Sequence, residues 1–263
     1  MSNVKLALMN IRMNLRNEKE LKSTFIISIV GMMLNNIAFL FLWYYFGKTV
    51  GVINGWEAMD IFGLYGFNGI AYGIVMTFFY GVTNIPTYIT TGNLDKYLLT
   101  PKNTLMKIAT SKVSTSAIGD LLFGLICFVI YMFYTKMSLN SFLLSFILII
   151  VATIIFFSFV LISMSISFYL MDGEKVSESI YGLFLNNSLY HGGAFTGILR
   201  VIFIFLVPSL LVGSVQVETI KNSSGITIIF IILMSIFWLM LSILFFYKSL
   251  KKYDSNNFFG FTS

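Results

Sequence analysis

The chain has 263 residues, of which 57% are apolar and only 11% charged, with a mean hydropathy of +0.87 and a formal net charge of +6. Water-soluble domains carry about 25% charged residues, so the composition excludes a soluble enzyme and describes an all-α integral membrane protein forming one domain over 1–263. The single cysteine, Cys127, lies in an apolar run and excludes a disulfide framework or a cysteine metal site.

In chain order, residues 1–22 come first, polar and cationic. Val4, Leu8, Ile11 and Leu15 recur at spacings of three and four, with Lys5, Arg12, Arg16 and Lys19 mostly around the other side. That pattern suits a helix lying in the membrane interface and running as an elbow into the first span, although a plain cationic flank would also satisfy it. Six apolar runs have the length of membrane spans, roughly Ser23–Phe46, Ile61–Val82, Ser114–Tyr134, Ser141–Met171, Thr196–Val215 and Ile226–Tyr247. The fourth is longer than needed and should tilt or protrude. The first apolar run has full span length and no small-residue cleavage site, so no cleavable signal is expected.

Polar residues inside spans are costly and mark either helix packing or a substrate path. They are Asn35 and Asn36 in the first span, Asn68 in the second and Asp120 in the third. Asn68 accompanies Gly63, Gly66, Gly69 and Gly73, a smooth strip for close helix contact. Asp120 is expected to reach Lys112 or pair with Arg200, and no second buried acid accompanies it for a proton relay. Between spans two and three lies a long connection, 83–113, containing the polar island Thr91–Pro101. A second connection, 172–195, starts with Asp172, Glu174 and Glu178 and has an apolar set in Tyr181, Phe184, Leu185 and Leu189. His191 is the only histidine and reads as an interfacial polar residue rather than a metal ligand.

Charge orients the spans. With the N-terminus in the cytoplasm, 14 Lys and Arg residues fall on inner segments and 3, Lys48, Lys136 and Lys221, on outer ones. Both termini are then cytoplasmic in a multi-pass cell-membrane protein. The net charge is explained by anchoring to the inner leaflet of the lipid bilayer, without a nucleic acid.

No Gly-x-x-x-x-Gly-Lys-Ser/Thr loop is present to cradle nucleotide phosphates, and no paired carboxylates or Ser-His-Asp set converge on a site. The chain reads as neither an enzyme nor a holder of a cofactor or metal, and energy must reach it from elsewhere.

The island reads Gly-x-Leu-Asp-x-x-Leu-Leu-x-Pro on Gly92, Leu94, Asp95, Leu98, Leu99 and Pro101. With this motif after the second span, an amphipathic N-terminal helix and six spans, the chain resembles the six-span permease subunits of ABC-2 type ATP-binding cassette exporters. It departs from their pattern at Thr100, where a basic residue is commoner, and over Asn187–Gly193, which lacks a proline. The resemblance implies a separate ATPase subunit that binds ATP and Mg²⁺, and a second permease chain, as homo- or heterodimer, with the path between the two and the glycine strip near the seam. It implies that 83–113 docks the ATPase. Pro86 would end the second span, Ile85, Tyr88 and Ile89 would offer an apolar face to a groove, Gly92 would close the turn in a left-handed conformation, and Asp95 would cap the next helix or pair with the ATPase. It also implies a short re-entrant element near Pro208 and 215–225 that closes the exit. A gradient-driven transporter and a non-transporting immunity or assembly protein fit the same hydropathy.

Overall fold

The structure is a computed structural model, and it describes residues 3–99, 101–170, 172–222 and 224–253. Met171 and Thr100, named above, lie outside the described residues.

The amphipathic N-terminal segment forms α1, Asn3–Glu20, and one non-helical residue, Leu21, turns the chain into α2, Lys22–Val50. Val4 and Leu8 are exposed, as a lipid-facing stripe requires, while the opposite stripe is held by amides. Asn14 Nδ2 donates to the carbonyls of Thr110 and Ser111 at 3.2 and 3.0 Å, and Thr115 Oγ1 donates to Glu18. The elbow reading therefore fits the fold, with a polar row fixing its angle.

Two further long helices, α3 (Asp60–Phe79) and α7 (Ser116–Tyr134), form the centre of the bundle. Here the glycine strip acts within one chain. An added Cβ on Gly63 would meet the Tyr131 ring at 2.8 Å, on Gly69 the Gly124 Cα at 2.8 Å, and on Gly73 the Leu121 backbone at 2.6 Å. Small residues let two helix backbones approach closely where lipid gives no hydrophobic drive. The strip expected at a seam between two permeases is thus consumed by α7.

Between α3 and α7 lie three short helices, α4 (Ile85–Thr90), α5 (Asp95–Leu98) and α6 (Thr104–Ala109). At the opposite end, residues 51–59 turn through Asn54 and Gly55, both at positive φ, between paired Ile53 and Trp56. Asn-Gly is the sequence that such a tight turn favours. Then come α8 (Leu139–Ser165), α9 (Gly173–Ser188), α10 (Gly197–Val201), α11 (Ser214–Asn222) and α12 (Gly225–Leu250). Five helical stretches among the described residues, built on α2, α3, α7, α8 and α12, are long and apolar enough to cross a membrane.

The remaining crossing differs from expectation. Residues 172–195, expected as a loop returning to the side it left, contain α9, which runs antiparallel to α8: Gly173 abuts Ser167, and Phe184 stacks on Phe159. By Gly192 the chain has reached Trp56 at the opposite end, where a Cβ would lie 2.3 Å from the indole. The fifth traverse is therefore α9. The expected span Thr196–Val215 is instead a hairpin that starts and finishes at that same end. Its first arm is α10 extended by a π turn over 202–206; its buried turn, 207–213, dips until Gly213 touches Leu64 and Asn68; α11 then returns. Arg200 pairs with Glu218 across the arms, and Lys221 reaches Gly55 O at 2.8 Å and Asp60 Oδ2 at 2.7 Å. Asp60 also accepts from the Glu57 amide and the Tyr131 hydroxyl, so this buried carboxylate is well satisfied. The expected re-entrant element is present in form, but it spans 197–222 and includes Pro208 at its tip. Moving Arg200 to this end changes the Lys and Arg distribution to 13 against 4, and the bias keeps its direction.

Candidate functional site

Two places concentrate the residues singled out in the sequence. The first is the α4–α6 end. Pro86 sits in the first turn of α4, where its missing N–H costs nothing, so it starts this helix rather than breaking α3. Ile85, Tyr88, Ile89 and Leu94 are buried in the chain's own core. Tyr88 tilts against Tyr97 at 5.3 Å, its hydroxyl lies 2.9 Å from Ser111 Oγ, and the ammonium groups of Lys96 and Lys112 sit over its ring. The apolar face expected to enter a partner's groove thus faces inward. Thr87 Oγ1 donates to Glu174 at 2.9 Å, tying α4 to the first turn of α9. Gly92 adopts the expected left-handed conformation, φ +69°, with its amide on Ile89 O and the Leu94 amide on Tyr88 O. Asp95 does not cap: it is the first residue of α5, and the preceding Leu94 offers no side-chain cap.

What this end presents outward is α5 and its flank. Leu98 and Leu99 are 41% and 83% exposed, beside exposed Asn93, Lys96 and Pro101. An exposed leucine pair on a polar end is where a partner gains most from apolar burial. Behind it, Lys107 donates to Tyr97 O, and burial pushes its ammonium below the ordinary lysine value.

The second place is a cavity of about 310 Å³ between α2, α3, α7, α8 and α9. Asn35, Asn36, Asn68, Gly69 and Asp120 all line it, whereas Gly73 belongs to the α3–α7 seam. Gly69 abuts Asp120 O and Gly124, which sets this wall near the midpoint of α3. Asn36 Nδ2 donates to Asp120 Oδ1 at 2.6 Å. The expected partners of Asp120 are engaged elsewhere: Lys112 donates to Asn84 Oδ1, and Arg200 holds Glu218. Asn68 Nδ2 donates to Leu64 O and Ser188 O at 3.1 and 2.9 Å. Tyr65, Tyr72, Phe123, Phe156, Asn186 and Ser188 also line it and were not singled out above. Tyr65, Asn68, Gly69 and Tyr72 recur on one helical face of α3, a spacing visible in the sequence; Asn186 and Ser188 were hidden by reading α9 as a loop.

The sequence matches the family model described as ABC-2 family transporter protein over residues 30–257. The chain belongs to the ABC-2 family. The match begins inside α2 and covers every element that builds the cavity and the α4–α6 end. No curated protein and no solved structure matches the chain significantly. The ABC-2 chain is accordingly an integral membrane permease subunit of an ATP-binding cassette transporter, a class that works with an ATPase subunit. His191 in this ABC-2 permease is buried against Trp56, ring centroids 5.0 Å apart, at the hairpin end. Among the described residues no three His, Cys, Asp or Glu side chains converge to hold a metal.

Proposed function

We propose that this permease exports its substrate, driven by a separate ATPase that carries the ATP and Mg²⁺ sites and docks on the α4–α6 end. That end then lies in the cytoplasm with both termini, in the cell membrane. The observation that carries the reading is the exposure of Leu98 and Leu99 at the end of the motif-bearing α5, next to Tyr88, Ile89 and Leu94, which are buried. Such an arrangement suits force transfer: α5 meets the partner, buried Tyr88 and Leu94 stiffen the mount, and Thr87–Glu174 leads to α9, which walls the cavity. Gly92, Asp95 and Pro101 shape the mount rather than form the contact.

Two copies of the chain complete the exporter, and their seam is assigned to α9. Its exposed positions carry Lys175, Glu178 and Ser179 beside Val176 and Leu183. Polar surface on a crossing helix is not left to hydrocarbon; it faces protein or water.

The docking reading is tested by co-purifying the tagged permease with its ATPase subunit. Leu99→Asp puts a charge into the proposed contact and should abolish ATPase capture while the permease elutes as a single species of unchanged thermal stability. Tyr88→Phe, which removes one hydrogen bond worth about 1 kcal/mol, should retain the ATPase. Undiminished capture by Leu99→Asp sinks the assignment.

A further inference from the structure

The mid-bundle cavity carries an electrostatic vacancy. Asp120 is 9% exposed, its Oδ1 is occupied by Asn36, and its Oδ2 has no partner. The ion pairs among the described residues, Arg200–Glu218 and Lys221–Asp60, both lie at the hairpin end, and neither involves Asp120. A second acceptor is equally unserved. The two carbonyls that Asn68 Nδ2 reaches fix its amide orientation, leaving Asn68 Oδ1 buried with no donor. Leaving buried acceptors unmet costs free energy, and a carboxylate costs most. Around these atoms the wall is aromatic, with Tyr65, Tyr72, Phe123 and Phe156.

We propose that this cavity binds a hydrophobic amine as its ammonium ion, N–H groups toward Asp120 and Asn68 and apolar body against the aromatic wall. One carboxylate on the cavity wall matches one positive charge, and aromatic faces attract a cation as well as hydrocarbon. A volume of about 310 Å³ lies at the lower end of the range for small-molecule sites. A metal ion fits poorly, because hard cations need six or more oxygens and this wall is mostly carbon. The inference rests on the permease reading in one respect, that the occupant is cargo; binding itself needs no ATPase.

The test uses the purified chain in lipid nanodiscs at pH 7, with empty nanodiscs as the partition control. The probes are 2-naphthylmethylamine and its uncharged isostere 2-naphthylmethanol, titrated by calorimetry. Wild type should bind the amine at least about tenfold more tightly than the alcohol. Asp120→Asn, nearly isosteric, should erase that preference by weakening the amine about tenfold while leaving the alcohol within a factor of about 3. Asp120→Glu should preserve the preference. If Asp120→Asn proves polydisperse, wild type and Asp120→Glu decide, and both must prefer the amine. Equal binding of the two probes to wild type, as a neutral carboxyl would give, overturns the proposal, and so does binding of neither. A chain that captures its ATPase through α5 yet shows no preference for the amine refutes this inference and leaves the permease reading standing.

Discussion

Replacing Gly69 by Ala tests whether α3 and α7 touch along their backbones. The added Cβ would stand 2.8 Å from Gly124 Cα and 3.2 Å from both Asp120 O and Gly124 N. Carbon atoms in good contact sit about 3.5–4.0 Å apart, so α7 must retreat by about 0.7–1.2 Å. All three obstructing atoms are backbone, and no rotamer change relieves them. The same movement strains the neighbouring contacts at Gly66 with Phe128 and Gly73 with Leu121. Overpacking of this kind costs about 1–3 kcal/mol, against about 0.5–1 kcal/mol gained when a helical Gly becomes Ala. A net loss of about 1–2 kcal/mol is expected. Gly31→Ala in α2 is the control, since a Cβ there meets nothing within 4 Å; it should be neutral or gain up to about 1 kcal/mol. Equilibrium unfolding of both variants in mixed micelles measures the difference. Gly69→Ala also displaces Asp120 on α7, so the variant should lose amine binding before it loses its fold. Equal stabilities for the two alanine variants would refute a glycine-mediated seam.

His191 provides a pH test. Burial lowers its pKa below the ordinary histidine value, so the unfolded chain takes up the proton first. Stability through this group is complete above about pH 6.5 and falls as pH drops towards the folded value. Thermal midpoints of wild type and His191→Phe should therefore diverge between about pH 7 and pH 5, with wild type losing more; parallel curves would contradict it. The α9 seam is open to cross-linking, because the native thiol, Cys127, is buried and silent. Under oxidation Ser179→Cys should give a disulfide-linked dimer while Ile236→Cys on exposed α12 should not, and the reverse pattern would move the seam.

The α4–α6 end shows how far pattern reading reaches. Pro86 and Gly92 announced a short helix and its left-handed stop, and both do what their backbone chemistry dictates. The direction of the apolar face was not legible, because Ile85, Tyr88 and Ile89 at helical spacing say only that one face is buried. Whether it is buried by the chain itself or by a partner depends on residues far away, here Tyr97, Ser111 and the end of α8. The exposed leucines that remain, Leu98 and Leu99, belong to the motif but not to that face.

The fifth crossing failed for a more general reason. Hydropathy reports which residues meet lipid, and only indirectly which residues cross. The arm over 197–206 looked like a span because Ile198, Leu199, Phe205 and Leu206 are exposed on the outside of the bundle. The helix that does cross, α9, begins with Glu174, Lys175 and Glu178 and ends in Asn186, Asn187 and Ser188. One of its sides walls the cavity through Leu185, Asn186 and Ser188, and its uncovered positions mix Lys175, Glu178 and Ser179 with Val176 and Leu183. In the proposed dimer α9 has the cavity on one face and the second copy on the other, and no need of a lipid-soluble surface. The same polarity that concealed α9 from a span count is what the proposed place between the cavity and a second copy requires.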